Sequence, residues 1–296
     1  MIGRGTLALA AAAACGVQVG AAMVATRSVA ADVGPFTLAF FRYAIAVACL
    51  LPVLVARPVP RIAGRDLAAV VGLGLVQFGL LIALLNVGLR HVTAARASLV
   101  FSTFPMLTML VAAALGRERL AGAAAAGIGI TMVGVGAAVG EGGDAPDAPG
   151  GWLGIAFVLA AALCGAVCAV LYRPLLQRHS TLAVGALAMG GSVAGLAPFA
   201  VAELSAAGLP ALGRTGWSAV VFIGLSSGVG YTLWLWALTY ASPTRVTMFQ
   251  ALAPVTAALG GAALLGEALT PGAVGGTVAV AAGLWVGLRP AARPER

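Results

Sequence analysis

The chain has 296 residues, 61% of them hydrophobic and only 9% charged, where an ordinary soluble domain carries about 25% charged residues. So little charge does not cover a water-facing surface, and lipid must solvate part of the chain. A net charge of +8 would suggest nucleic acid in a soluble protein. Here all 17 basic residues are Arg and most lie between apolar segments, which reads as topology signals and lipid-headgroup partners and excludes a nucleic-acid surface.

Apolar runs in chain order place spans at 6–28, 35–56, 66–89, 94–115, 120–139, 152–173, 181–203, 216–240, 244–265 and 271–288. Each is close to the roughly 20 residues that a helix needs to cross a bilayer, so the expected fold class is all-α integral membrane with ten transmembrane helices. Connections are short, and most carry Arg, Pro or Gly. The N-terminus runs straight into the first apolar segment with no clear cleavage site after it, so that segment is read as a span and not as a removed leader. The one polar, low-complexity stretch is GEGGDAPDAPGG at 140–151, an aqueous loop near the midpoint. It divides the chain into 1–139 and 152–296, the second part ending in a short tail. Cys15, Cys49, Cys164 and Cys168 all lie in apolar segments without disulfide-framework or zinc-ligand spacing. No phosphate-cradling loop is present either. Neither a metal nor a cofactor is therefore expected.

The two parts repeat at a constant offset of 149 residues. Arg96 falls on Arg245, Pro105 on Pro254, Glu118 on Glu267, and Cys15–Gly16 on Cys164–Gly165. Arg, Pro and Glu are scarce in this chain, so their coincidence outweighs the many Ala, Gly and Leu matches. Five spans per copy is odd, so the second copy enters the bilayer upside down, the inverted-repeat design of many secondary transporters. With both termini in the cytoplasm, 12 Arg lie inside and 4 (Arg27, Arg90, Arg96 and Arg214) outside, with Arg42 left within a span. That bias follows the positive-inside rule. The Ala, Arg and Gly excess without Lys fits a GC-rich genome, and a bacterial inner membrane is the expected location.

Arg42 is the only ionisable residue well inside a span. It reads either as a substrate-related charge or as a structural one that reaches a headgroup or ties helix ends through carbonyls. Glu118 and Glu267 stand at tight corners before the fifth and tenth spans, positions suited to capping the free N–H groups of those helices. A dedicated proton relay would need carboxylates at mid-membrane, and the spans hold none there. Pro105 and Pro254 interrupt the fourth and ninth spans, with Ser98, Phe101 and Ser102 before one, and Thr247 and Gln250 before the other. Ser227, Tyr231 and Trp234 share one face of the eighth span, opposite their repeat mates Phe78, Ile82 and Leu85, with Asn86 alongside. Gln18 and Gln77 are further amides in the first and third spans. These groups either line a polar path or bond across helices. Together they suit an amphipathic solute that is stacked and hydrogen-bonded.

The segments FTLAFFRYAIA (36–46), ASLVFSTFPMLTMLVAAALGRERL (97–120) and TRVTMFQALAPVTAALGGAALLGEALT (244–270) resemble the drug/metabolite transporter superfamily, in particular its ten-helix EamA-type members. Arg42, Pro105, Pro254, Glu118 and Glu267 match the family pattern. The first corner reads Leu–Gly–Arg–Glu and departs from it by one inserted residue. The resemblance implies efflux of small metabolites by alternating access, with amino acids foremost. Aromatic amino-acid exporters of the YddG type are the branch to test first. The alternatives are a lipid-carrier or nucleotide-sugar translocator of the same superfamily, an intramembrane enzyme, and a sensor without transport. A phosphorylated substrate would call for more intramembrane cations than Arg42. An enzyme would call for a catalytic cluster within the spans, and His91 and His179 both sit at span ends. The sequence leaves oligomeric state, coupling ion and exact substrate open.

Overall fold

The computed structural model describes residues 4–56, 62, 64–118, 122–140 and 151–287. Most of the 140–151 loop, the C-terminal tail, and Arg57, Arg61, Arg119, Arg289, Arg293 and Arg296 of the charge count lie outside those residues. The helices are α1 (Arg4–Val29), α2 (Pro35–Ala56), α3 (Gly64–His91), α4 (Ala94–Ala114), α5 (Gly122–Gly140), α6 (Gly151–Arg178), α7 (Thr181–Ala207), α8 (Arg214–Tyr240), α9 (Pro243–Leu265) and α10 (Pro271–Gly287). Eight of them are long and apolar enough to cross a membrane, and α5 and α10 are further apolar helices. No strand occurs among the described residues.

Lipid cannot satisfy backbone polar groups, so each span must close its own hydrogen bonds as a helix. Association then depends on close packing, since lipid tails are as apolar as the helices. The chain accordingly turns many large side chains outward, among them Val55, Val133, Phe199, Leu259 and Trp285, and buries many alanines between helices. The buried stripe of α1 is Ala8, Ala11, Ala12, Cys15, Gly16 and Gly20. A side chain at Gly16 would meet the main-chain carbonyl of Phe249, and one at Gly20 that of Ala253. Backbone contact between α1 and α9 therefore requires glycine at both positions.

The repeat is visible in the packing. α1 lies on α8 and α9, as α6 lies on α3 and α4; α2 packs on α7 and α8, as α7 packs on α2 and α3; α5 pairs with α10. Exchanging the two sets of five leaves these pairs unchanged. Local devices repeat as well. Thr93 caps α4 through the N–H of Arg96, and Ser242 caps α9 through that of Arg245, 149 residues on. Each corner after those helices turns on a glycine with positive φ, Gly116 at 63° and Gly266 at 66°, a conformation that costs other residues about 1–2 kcal/mol. Beyond Gly116 the first corner carries the inserted Arg117.

Three breaks in the helices matter for function. α4 unwinds at Ser102–Thr103 and restarts at Phe104, with Pro105 in its new first turn. α9 passes through a 3-10 turn at Phe249–Leu252 and restarts at Ala253, with Pro254 in the matching place. Proline lacks an N–H and is tolerated where a helix begins, so both breaks follow from these residues. α3 carries a π-helical turn at Leu75–Leu80, which proline does not explain. Such turns add a residue to the helix and recur at functional sites.

Candidate functional site

The three breaks surround one internal cavity. α1 contributes Gln18, Val19, Met23 and Thr26; α2 contributes Arg42; α3 contributes Gln77, Leu81, Ile82 and Leu85. α4 adds Phe101 and Phe104, α8 adds Tyr231 and Trp234, and α9 adds Gln250. Its free volume is about 30 Å³, room for one or two waters, so helices must part before a solute of amino-acid size fits.

The walls are aromatic with isolated polar points. Tyr231 meets Phe78 edge-on at 4.9 Å and Trp234 at 6.3 Å, and Tyr172 on α6 meets Trp234 edge-on at 6.4 Å. Perpendicular rings lock each other's orientation and add roughly 0.5–1.5 kcal/mol per pair beyond burial. Against these rings stand polar atoms without a protein partner, namely Oε1 of Gln18, Gln77 and Gln250, and Nε1 of Trp234. The amide nitrogens of two of them are engaged: Gln18 donates to Ser226 Oγ at 3.3 Å, and Gln250 to Cys15 Sγ at 3.6 Å. A buried unpaired carbonyl costs about 1–3 kcal/mol; Gln18 Oε1 stands where a side chain at Gly230 of α8 would lie, and all three amides belong to residues that line the cavity.

Of the residues expected at a site from the sequence, the cavity gathers Gln18, Ile82, Phe101, Tyr231, Trp234 and Gln250. Phe78 stands one layer behind, packed on Tyr43 and Tyr231. Asn86 is elsewhere and donates Nδ2 to the Pro35 carbonyl at 2.9 Å, tying α3 to the start of α2. Ser98, Ser102 and Thr247 spend their hydroxyls on main-chain carbonyls of Ala95, Ser98 and Thr244 in their own helices. Ser102 also lines a small second void with Pro105 and Thr131. Arg42 is buried. Span six does not line the cavity but supports it through Tyr172, while span two enters it through Arg42.

The sequence reading did not single out Tyr43, Met23, Thr26, Phe104 or Tyr172. Tyr43 follows Arg42 and Phe104 precedes Pro105, so proximity to the marked residues was the available signal. Glu203, also not singled out, caps the start of α2 from the end of α7. Its carboxylate accepts from the N–H groups of Phe36 and Thr37 and from Thr37 Oγ1 at 3.2, 2.7 and 2.7 Å. Glu267 likewise caps a helix, but α4 and not α10. Oε1 accepts from the Ala94 N–H at 3.2 Å and lies 3.8 Å from Arg27, while α10 is started by Thr270 Oγ1. Glu118 cannot make the matching bond to α9, because the residue matching Ala94 is Pro243, which has no N–H to give; the start of the fifth span, which the sequence has it cap, lies outside the described residues. Oε1 of Glu118 is buried without a partner.

The two ends of the bundle therefore differ. At the Glu203–Glu267 end, Arg27 donates to the carbonyls of Leu89 and Arg90, and Arg90 to those of Ala30 and Val33. These bonds tie α1, α3 and the turn between α1 and α2 together at that end. At the other end Asp66 on α3 pairs with Arg178 and His179 at 3.0 and 2.7 Å. There a cleft of about 690 Å³ opens between α3 and α6, and one of about 390 Å³ opens beside Glu118 and Arg173.

Comparison with known proteins accords with this architecture. The EamA-like transporter family matches residues 5–139 and 152–288, one copy in each half. An uncharacterized transporter of Archaeoglobus fulgidus is 27% identical over 273 residues, 91% of this chain and 94% of the relative. A probable terminal-alkyne amino-acid exporter of Streptantibioticus cattleyicolor is 30% identical over 231 residues, 77% of this chain and 76% of the relative. A protein of known crystal structure superposes with a TM-score of 0.72 at 22% identity, over 94% of this chain and 95% of its own. At that identity the likeness concerns the fold.

Proposed function

The chain belongs to the EamA-like transporter family, and on that premise we propose that it exports small zwitterionic metabolites, amino acids first and aromatic ones in preference, by alternating access. The carrying observation is the cavity wall, where the rings of Tyr231 and Trp234 stand with the neutral amides of Gln18, Gln77 and Gln250. Rings stack on an apolar side chain while carbonyl oxygens accept from an ammonium. The name of the Streptantibioticus relative supports the same class. A phosphorylated lipid or nucleotide sugar fits less well, since Arg42 is the one cation among the residues lining the cavity.

The two halves, 1–139 and 152–296, are the moving units of this reading. Opposed in the bilayer, they exchange conformations to close one end and open the other. In this reading the membrane is a bacterial inner one, and the Arg excess supports a cytoplasmic Asp66 end with both termini on that side. The Glu203–Glu267 end is then external and closed in this state, and the clefts beside Asp66 and Glu118 face the cytoplasm, where an exporter loads.

Counterflow in proteoliposomes tests the reading. Liposomes preloaded with unlabelled L-phenylalanine are expected to accumulate labelled phenylalanine, tyrosine and tryptophan several-fold faster than serine. If no amino acid moves while a polyprenyl or sugar phosphate does, the substrate class is wrong.

A further inference from the structure

Three described arginines show how this protein uses a guanidinium. Arg27 and Arg90 donate to main-chain carbonyls at one end, and Arg117 donates to Val170 O at 2.8 Å at the other. Arg42 does none of this. It is the eighth residue of α2 and only 5% exposed. Among the described residues its one hydrogen bond runs from Nε to Ser227 Oγ, at 2.8 Å. No carboxylate among them lies within ion-pair distance, and the side chain borders the central cavity.

An arginine does not relieve burial by losing its proton, and an uncompensated buried cation costs several kcal/mol. The tie through backbone carbonyls, the structural role open to it on sequence grounds, is not made. Ser227 holds the Nε edge, and the two terminal nitrogens, with four N–H donors, have no acceptor among the described residues. That planar fork matches a carboxylate in bidentate geometry. The other polar side chains of the lining are neutral, the amides of Gln18, Gln77 and Gln250 among them, with no Asp or Glu. One cation among neutral polar groups matches a solute that carries a negative group.

We propose that Arg42 is the carboxylate anchor of the substrate site, that Ser227 positions it, and that a free carboxylate is the feature by which substrates are admitted. This rests on the transport reading above and sharpens it. An ester, an amide or a decarboxylated amine of a good substrate leaves the guanidinium unpaired and is rejected. A lysine at position 42 keeps the charge and loses the fork.

The test uses solute pairs that differ only at the carboxylate: L-phenylalanine with its amide, and 3-phenylpropionate with its amide. Uptake is compared in proteoliposomes of the wild type, Arg42→Gln, Arg42→Lys and Ser227→Ala. In the wild type the acid is expected to be preferred at least 30-fold. Arg42→Gln brings that ratio close to one, Arg42→Lys leaves an intermediate ratio, and Ser227→Ala weakens acid uptake a few-fold. If only the propionate pair shows the preference, the amino-acid reading falls and the anchor stands. If the wild type prefers no acid, or the preference survives in Arg42→Gln, the anchor is overturned. Thermal melting in detergent covers the case of a misfolded variant. Without solute, Arg42→Met is expected to melt no lower than the wild type, whereas Arg90→Met melts lower. The wild type is stabilised by L-phenylalanine and not by its amide. A large drop in melting temperature for Arg42→Met would assign the residue to structure and overturn the proposal.

Discussion

Gly16→Val is expected to leave little folded protein in the membrane. The first carbon of any side chain at position 16 meets the carbonyl of Phe249, with Leu252 Cβ at 3.3 Å behind it. Main chain does not change rotamer to make room, so α1 and α9 would have to separate. Overpacking against movable side chains already costs about 1–3 kcal/mol, and an immovable backbone raises that figure. Separation also withdraws Gln250 from Cys15 and opens the wall where Gln18 and Gln250 face the cavity. Gly129 supplies the control, since nothing lies within 4 Å of a side chain there. Gly129→Ala should hold or gain stability, because glycine in a helix interior is worse than alanine by about 0.5–1 kcal/mol. Size-exclusion profiles in mild detergent read both outcomes, and a monodisperse Gly16→Val peak at wild-type yield would refute the close approach.

A second pair of substitutions separates packing from recognition. Trp234→Ala removes a ring that is 2% exposed and meets both Tyr172 and Tyr231 edge-on. Such truncations cost about 3–5 kcal/mol, so both melting temperature and transport should fall, transport of aromatic solutes by about a hundredfold or more. Gln250→Leu should behave differently. Its Oε1 has no partner, so a leucine of similar volume removes an unsatisfied group and leaves the melting temperature unchanged or raised. Transport should nonetheless fall at least tenfold, because the acceptor for the solute is gone. Equal loss of stability in both variants would mean that Gln250 supports the fold and not the solute.

The contrast between these residues shows what the sequence carried. Span positions were legible because lipid imposes an apolar length on every helix. α2 was placed at 35–56, as observed, while α6 was stopped at 173 although it runs through Pro174 to Arg178. The repeat was legible because Arg, Pro and Glu are rare, and Pro105 and Pro254 mark real breaks in α4 and α9. The facing of α3 was not. Its π turn has no marker in composition, and the added residue brings Gln77 and Leu81 to the cavity while Asn86 turns to Pro35 O. Ser98, Ser102 and Thr247 form a polar face on paper, but their hydroxyls bond their own helices, which a residue letter does not reveal. Glu203 meets the start of α2 across 166 residues of chain, and no spacing rule reaches that far. Glu267 accepts from a helix-start N–H. The helix it caps is α4 because the partner is set by the bundle and not by the corner in which Glu267 sits.

The central claim is that the cavity among α1, α2, α3, α4, α8 and α9 is the substrate path and that its two ends open in turn. Site-directed labelling tests it most directly. With the four native cysteines replaced and Ile82→Cys as reporter on the cavity wall, a membrane-impermeant maleimide is applied to proteoliposomes from either side. The reporter is expected to react from both sides, and saturating L-phenylalanine should slow both reactions at least tenfold. A reporter sealed from both sides, or one whose reactivity ignores every solute the protein moves, would place the path elsewhere.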